Sequence, residues 1–483
     1  MATVQRRSIW RVKPIDLILK QGDEAEHGLK RTLGPISITL LGVGAIVGTG
    51  IFVLTGVAAA KYAGPGLILS FVLAGIVSGL AAICYAELAS TVPIAGSAYT
   101  YSYATLGELI AWIIGWDLIL EYAVGAAAVS IGWSGYFTDL LKSALGITIP
   151  KALTLSPFAG GIINLPAFLI ILVMTALLIL GTSESTKVNN VIVTIKLAVI
   201  VFFIVVGFGH VNPANWTPFL PFGVGGVFKG AAIIFFAYIG FDQISTSAEE
   251  SRNPSRDLPI GIFLSLLICT ALYILVTAVL TGVVSYTRLN VPSPVSHALI
   301  LLGLNAAGSI ISIGAICGLT TVLLVLLFGQ SRIFFAMSRD GLLPGFFAKV
   351  HPRFRTPYLS TMLVGIVVAL VAGFTPIDVV AELTNIGTLA AFVLVSASII
   401  ILRRTQPNLR RGYRVPLVPL IPILSMIGSF VLIVSLPLVT IGRFIIWLAI
   451  GLLIYFLYSR HRSHLEQELT TTESVEPTAR DTA

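Results

Sequence analysis

Long apolar runs, separated by short polar stretches, recur from residue 35 to residue 459. A run of about 18 or more apolar residues is long enough to cross about 30 Å of hydrocarbon as a helix. The alternation that marks a membrane β-barrel is absent from the sequence. The pattern predicts an all-α polytopic membrane protein with twelve spans, near 35–61, 66–91, 101–125, 163–181, 189–211, 228–249, 259–285, 307–335, 358–375, 377–402, 417–439 and 441–459.

Two of these spans are interrupted near their midpoints. Span one contains "GVGAIVGTGIF" at 42–52, with four glycines, and span six contains Gly240 followed by Asp242. Matching interruptions in corresponding halves of a transporter point to its binding site, and their separation by five spans predicts an inverted repeat. The alternative for the first stretch is close helix packing through the GxxxG pair of Gly44 and Gly48.

The predicted spans and interruptions divide the chain into two tails, two repeats and two further helices. Residues 133–145 are expected either to extend the third helix or to lie in the membrane interface. No cleavable signal peptide opens the sequence, and the last residues are polar enough to be disordered. The predicted divisions are a cytoplasmic N-terminal tail (1–34), a first repeat (35–211), a second repeat (228–402), two further helices (417–459) and a disordered cytoplasmic tail (463–483).

Composition excludes a soluble globule. The 483 residues are 56% hydrophobic and 11% charged, with a mean hydropathy of +0.96. A soluble domain carries roughly 25% charged residues, so this chain has too few polar side chains to cover a surface in water. Its three cysteines all fall in apolar runs without a local spacing pattern, which suggests neither a disulfide framework nor a metal site.

The distribution of positive charge predicts orientation. Of the 30 lysines and arginines, 23 fall in segments that face the cytoplasm if the N-terminus does, six fall on the other side, and Lys196 lies within a span. This asymmetry predicts cytoplasmic termini in the plasma membrane. The net charge of +8 then lies against anionic lipid headgroups, so lipid is the expected partner and nucleic acid is not.

The interruptions also predict the chemistry of a site. Freed backbone groups cannot be satisfied by hydrocarbon, but they can be satisfied by a ligand. The N–H groups that open the outer half of span one suit a carboxylate, and freed carbonyl groups suit an ammonium group. A site that takes both is an α-amino-acid site. The residues expected to contact the substrate in this way are Ile46, Gly48, Thr49, Gly50, Phe236, Ala237 and Ile239.

Several motifs carry a family likeness. Together with 42–52 they resemble the amino acid–polyamine–organocation transporters, and among these the bacterial relatives of the cationic amino acid transporter branch. The motifs are "YAELASTVPIAGSAYTYSYATLGELIAWIIGWDLILEYA" (85–123), "FFAYIGFDQISTSAEESRNPSRDLPIGI" (235–262) and "FGQSRIFFAMSRDGLLP" (328–344). Animal members of the branch have two further C-terminal spans, so a preference for cationic substrates is not carried over.

The resemblance implies a leucine-transporter-type fold with a five-plus-five inverted repeat and broken helices one and six. It further implies alternating access and import of L-amino acids by proton symport, with the proton gradient as energy source and no cofactor. The backbone at Thr49 and Gly50 would hold the substrate carboxylate, and the carbonyls of Phe236, Ala237 and Ile239 its amino group.

Lys196 is a buried cation in span five, about seven residues from the nearer span end. A charge inside the membrane costs at least about 2.5–3.5 kcal/mol, so loss and gain of its proton during transport is expected. Snorkelling to the interface is the alternative. By the resemblance, relatives place a lysine where sodium-coupled cousins bind sodium, which implies a role for Lys196 in proton coupling.

Three acidic residues are further candidates. Asp242, in the break of span six, is expected to contact a substrate or relay protons, and capping of the local backbone is the alternative. Glu121, in the outer half of span three, is expected to hold a cationic side chain. Asp117 lies one turn earlier on the same face, and the two acids form either an interior patch or part of a structural ion pair.

Other polar residues have weaker assignments. Cross-helix pairs among the charges at inner span ends are a hypothesis for closing a cytoplasmic gate, with ordinary interfacial pairing as the alternative. Glu382 has no assigned role, and three residues are pocket candidates by position alone, Thr320, Thr321 and Asn385. The inner-end charges are Glu87, Glu249, Glu250, Arg252, Arg256, Arg332 and Arg339.

The sequence contains no catalytic motif, so an enzyme is not expected. The best-supported function is a secondary active transporter, a proton-coupled amino acid symporter. An amino acid exchanger without net proton coupling is the nearest alternative, and a channel or membrane nutrient sensor is the alternative of another class. A small single-span subunit and a homo-oligomer are both compatible with the sequence.

Overall fold

The computed structural model describes residues 11–14, 33–91, 98–181, 186–245, 251–354 and 356–465. Helices dominate these ranges, and the β contact among them is an isolated bridge between Leu33 and Ser251. In the first half of the chain the α-helices are α1 (Pro35–Ile46), α2 (Thr55–Ala58), α3 (Leu67–Thr91), α4 (Ala98–Thr105), α5 (Glu108–Leu145), α6 (Leu165–Leu180) and α7 (Thr186–Phe208).

The second half of the chain has the same character. Its α-helices are α8 (Gly223–Ile234), α9 (Pro254–Val283), α10 (Pro294–Leu301), α11 (Asn305–Arg339), α12 (Tyr358–Phe374), α13 (Ile377–Thr405), α14 (Leu420–Ser435), α15 (Leu438–Ile454) and α16 (Arg460–Arg462). Eight helical segments of the described chain are long and apolar enough to cross a membrane, and α1, α6, α12 and α14 are shorter apolar helices. The chain is therefore a multi-pass helical membrane protein.

The third apolar segment is longer than its predicted range of 101–125. One continuous helix, α5, runs for 38 residues to Leu145, so residues 133–145 extend the helix. Its start is set by Gly107, whose φ of 97° is a conformation that other residues rarely adopt. This glycine separates α5 from the short helix α4, which the sequence pattern had merged with it.

Helices that lie in predicted spans five apart pack against each other. α3 packs against α9, α5 against α11, and α6 against α12. The first helix, α1, packs against both α9 and α7. These pairings bring the interrupted helices together at the centre of the bundle.

The chain leaves α-helical geometry at both places where the sequence predicts an interruption. α1 ends at Ile46, Val47 is extended (φ −75°, ψ 99°), and the helix resumes as a π-helical turn at Gly50–Leu54. α8 ends at Ile234 and passes through a 3₁₀ turn, Phe235–Tyr238, to Gly240 with a φ of 120°.

The two interruptions touch through glycines. A Cβ atom added at Gly50 would lie 2.2 Å from the Cα atom of Ala237, and one added at Gly240 would lie 2.9 Å from the carbonyl group of Ala45. Both distances are too short for a side chain, so these glycines are required for the contact between the breaks. Gly50 and Gly240 therefore allow the two broken segments to pack closely, and they also lie where the chain leaves α-helical geometry.

Candidate functional site

A cavity of about 20 Å³ lies where the two interruptions meet α5, α11 and α13. Its wall combines backbone at the breaks with side chains from the three continuous helices. The lining residues are Ala45, Ile46, Gly48, Thr49, Gly50, Glu121, Gly125, Phe236, Ile239, Gln243, Val322, Leu326 and Thr384.

Most of the residues predicted to contact a substrate line this cavity. They are Ile46, Gly48, Thr49, Gly50, Glu121, Phe236 and Ile239. Ala237 lies behind the wall, against Gly50, and Asp242 lies beside the cavity. The Oδ1 atom of Asp242 accepts a hydrogen bond from the Gly240 N–H at 3.2 Å, which is the contact expected of local backbone capping.

Thr49 presents an unsatisfied polar group at the cavity. Its side chain is fully buried, and its Oγ1 atom has no hydrogen-bond partner among the described residues. A buried polar atom without a partner is rare in folded proteins and calls for an explanation. At the edge of a cavity, the hydroxyl is placed to bond a ligand or water.

Side chains satisfy part of the freed backbone. The Tyr273 hydroxyl donates to the Ile46 carbonyl at 3.0 Å, and the Asn385 amide donates to the carbonyls of Ala232 and Ile233, both at 2.8 Å. Asn385 therefore caps the broken end of α8 and is not among the cavity-lining residues. A carbonyl oxygen has two lone pairs, so Ile46 retains capacity for a second donor.

Lys196 reaches the first interruption. It is completely buried, and its Nζ atom donates to the carbonyls of Gly44 at 2.9 Å and Val47 at 3.3 Å. The snorkelling alternative does not describe this side chain, because its ammonium group ends on the backbone of α1. Gly318 of α11 leaves the space for it, since a Cβ atom there would lie 3.0 Å from the Lys196 side chain.

The two acids of α5 occupy different places. Glu121 lines the cavity, whereas Asp117 packs against α13, where its Oδ1 atom would lie 2.7 Å from a Cβ atom at Gly387. Neither carboxylate forms an ion pair within the described ranges. The Oδ1 atom of Asp117 has no hydrogen-bond partner there either.

The side walls of the cavity come from residues that the sequence did not single out. Val322 and Leu326 are one turn apart on α11, and Gly125 lies one turn after Glu121 on α5. Thr320 and Thr321 were expected to line the pocket but do not: Thr320 accepts a hydrogen bond from Trp133 and Thr321 bonds its own helix. Val322 faces the cavity because of the rotation of α11 about its axis. The hydropathy of the sequence does not reveal this rotation, so it could not identify Val322 as a wall residue.

A second, larger cavity adjoins the first. Its volume is about 120 Å³, and Gln243 belongs to the walls of both cavities. We call it the vestibule. It is lined by Tyr99, Thr100, Tyr122, Gln243, Val325, Phe328, Gly329, Arg332, Ile333 and Ala336.

Two buried ion pairs tie the N-terminal segment to the end of the bundle beyond the vestibule. Arg11 donates to Glu108 at 3.1 Å, and Lys13 donates to Asp340 at 2.9 Å. Ser463 also bonds Glu108, so the two ends of the described chain lie together, at what we call the terminal face. Sequence reasoning missed these carboxylates because their partners lie far away along the chain.

Two further acidic residues, Glu87 and Glu382, have partners from other parts of the chain. Glu87 pairs with Arg403 at 2.7 Å and with Arg411 at 3.1 Å. Neither arginine is among the inner-end arginines that the sequence analysis considered for cross-helix pairs. Glu382 accepts a hydrogen bond from Thr440. The predicted pairs that involve Glu249 and Glu250 lie outside the described residues.

A bundle of apolar helices around a cavity between two broken helices defines a membrane transporter. The chain belongs to the amino acid permease family, whose sequence model matches residues 33–457. It is similar to the Methylthioribose transporter of Bacillus subtilis (strain 168), with 52% identity over 462 residues, 95% of this chain and 100% of that protein.

Other relatives share the transporter class. Identity to the Branched-chain amino acid permease BcaP of the same organism is 53% over 466 residues, 95% of this chain and 99% of the relative. Identity to the Cationic amino acid transporter 4, vacuolar, of Arabidopsis thaliana is 38% over 407 residues, 83% of this chain and 68% of the relative. The chain is a transporter and not an enzyme.

Proposed function

We propose that this protein is a proton-coupled symporter that imports amino acids by alternating access. The observation that carries the proposal is the cavity between the two interruptions, with the Lys196 ammonium group bound to the backbone of one of them. We further propose twelve spans in the plasma membrane, with the terminal face on the cytoplasmic side. The 23-to-6 distribution of cations supports this orientation.

A five-plus-five inverted repeat is part of the proposal. It is supported by the two interruptions, which lie in spans one and six, and by the packing of α3, α5 and α6 (spans two, three and four) on α9, α11 and α12 (spans seven, eight and nine). An inverted repeat gives two similar halves that can exchange inward and outward arrangements. The central cavity then opens to one side of the membrane at a time.

Recognition of the amino and carboxyl groups follows from the breaks. The N–H groups of Thr49 and Gly50 begin the second half of span one and suit a carboxylate. The Thr49 hydroxyl, which has no partner in the described part of the chain, adds a further donor. The carbonyls of Phe236 and Ile239, on the facing wall, suit an ammonium group. This arrangement favours an α-amino acid over a ligand with only one of the two groups.

The side-chain end of the cavity favours neutral, aliphatic amino acids. Val322 and Leu326 supply branched apolar surface, and Gly125 leaves room opposite them. This chemistry agrees with the branched-chain amino acids for which the Bacillus subtilis relative BcaP is named. Glu121 is the feature that instead suits a lysine or arginine side chain.

For energy coupling we propose Lys196. An ammonium group on the carbonyls of Gly44 and Val47 places one positive charge at the break of span one. Loss of its proton would remove that charge and weaken both hydrogen bonds, because a neutral amine is a poorer donor. The break could then rearrange, which links proton release to the opening of the site.

Uptake of labelled leucine into proteoliposomes tests the function. With an alkaline interior and no internal amino acid, we expect accumulation that a protonophore abolishes. Uptake that is independent of the pH gradient but requires amino acid inside the vesicles would establish an exchanger instead. Competition by valine, arginine and methylthioribose then assigns the substrate, and we expect valine to compete best. If no amino acid competes, the central cavity is not an α-amino-acid site.

A further inference from the structure

The vestibule carries a charged group of its own, Arg332 on α11. Its guanidinium lies 3.9 Å from the centre of the Phe328 ring, one turn earlier on the same helix, and both side chains are exposed. Stacking on a ring uses the flat face of the guanidinium. The N–H groups lie in its plane, and they are the groups that bind a carboxylate through two parallel hydrogen bonds.

The rest of the vestibule wall suits the same kind of ligand. Val325, Ile333 and Ala336 form an apolar surface, and Tyr122 and Gln243 bring polar atoms to the side nearer the first cavity. Gln243 carries an amide oxygen that can accept from an ammonium group. A neutral amino acid would find here a cation for its carboxylate, an acceptor for its amino group and an apolar wall for its side chain.

The vestibule position is separate from the first cavity. On α11, the wall residue of the first cavity nearest to Arg332 is Leu326, six residues before it. This separation corresponds to a rise of about 9 Å along the helix. An amino acid whose carboxylate binds at Thr49 and Gly50 would have to move toward the vestibule to place that carboxylate at Arg332.

A buried ion pair adjoins the vestibule through the wall residue Tyr99. Tyr99, a wall residue, donates to Asp340 at 2.6 Å, and Asp340 accepts from Lys13 at 2.9 Å. The vestibule thus lies between the central cavity and the Lys13–Asp340 pair, on the route that a substrate would take toward the terminal face.

We propose that the vestibule is a second, sequential binding position for the amino acid, with Arg332 as the ligand of its carboxylate. This inference rests on the proposed function and specifies the step that follows release from the central cavity. Arg332 is not a wall residue of the central cavity, and the one carboxylate of an amino acid cannot bind both Arg332 and the Thr49–Gly50 backbone at once. Its contribution is therefore confined to the side of the membrane that the vestibule faces.

Transport measured from each side tests the proposal. In inside-out membrane vesicles, we expect Arg332→Gln to raise the half-saturation concentration for leucine at least about tenfold, because the charge-assisted hydrogen bonds to its carboxylate are lost, with a change of less than about twofold in right-side-out vesicles. Arg332→Lys keeps the charge without the planar fork and should restore part of the difference.

Arg339→Gln is the matched control. It removes the same charge from an exposed position on the same helix, and Arg339 lines neither cavity. We expect it to behave as the wild type from both sides. Equal effects of Arg332→Gln on the two sides, no effect on either, or the same effect in Arg339→Gln would overturn the proposal. Absence of leucine uptake by the wild type would instead refute the proposed function itself. Gel-filtration profiles establish that each variant is folded.

Discussion

The Lys196 ammonium group lies 2.9 Å from the carbonyl oxygen of Gly44, and this hydrogen bond joins α7 to the last turn of α1. The second acceptor, Val47, is the first residue beyond that helix. One cation therefore binds the backbone that the interruption releases. Under the proposed function, loss and gain of the Lys196 proton would break and restore this contact.

Replacement of Lys196 by methionine removes the charge and keeps most of the apolar volume. We expect Lys196→Met to abolish gradient-driven accumulation of leucine, because the ammonium that binds the break is gone, while counterflow exchange of leucine persists. Lys229→Met is the control, since Lys229 is exposed on α8. Accumulation by Lys196→Met at the wild-type level would show that coupling resides elsewhere.

Substitution of Gly318 tests the same bond without a change of charge. A Cβ atom at this position would lie 3.0 Å from both the Cε and Cγ atoms of Lys196, so Gly318→Ala should displace the side chain from the carbonyls of α1. We expect weaker accumulation at a given pH gradient. Gly442→Ala, a helix position with nothing within 4 Å of the added atom, should have no such effect.

The contact between the two interruptions predicts a larger effect at Gly50. Its added Cβ atom would meet the backbone of Ala237 at 2.2 Å, and backbone cannot move aside as a flexible side chain does. Overpacking of this kind costs about 1–3 kcal/mol, so Gly50→Ala should lower the melting temperature and abolish leucine uptake. Thermal unfolding and uptake assays measure these two effects. An active Gly50→Ala protein of wild-type stability would contradict the close packing of the breaks.

Val322 predicts the size limit of the substrate. A longer side chain here would fill the apolar end of the cavity, so Val322→Met should weaken competition by leucine about tenfold and affect alanine less. Val205→Met makes the same change at an exposed position of α7 and serves as the control. Equal losses for leucine and alanine would mean that Val322 does not contact the substrate side chain.

The ion pair of Lys13 and Asp340 predicts energetic coupling between the N-terminal segment and α11. Because both side chains are nearly buried, loss of either partner leaves an uncompensated charge. We expect Lys13→Met and Asp340→Asn each to lower the melting temperature, and the double variant to be more stable than the sum of the two losses predicts. Strictly additive losses would show that the pair is not coupled.

The sequence by itself determined the class of the protein and the position of its interruptions. Apolar length dictates membrane helices, and the glycines of 42–52 together with Gly240 weaken two of them at their midpoints. Lys196 could also be found, because a charge within an apolar run stands out from its neighbours. These features are local, so they can be read without knowledge of which helices meet.

Only the tertiary structure decided which side chains share a space. Val322 and Leu326, and not Thr320 and Thr321, face the cavity because of the rotation of α11 about its axis, which depends on its packing against α5. The pairing of Lys13 with Asp340 joins residues 327 positions apart. Hydropathy is nearly uniform around a membrane helix, so it fixes neither the rotation of a helix nor its long-range partners.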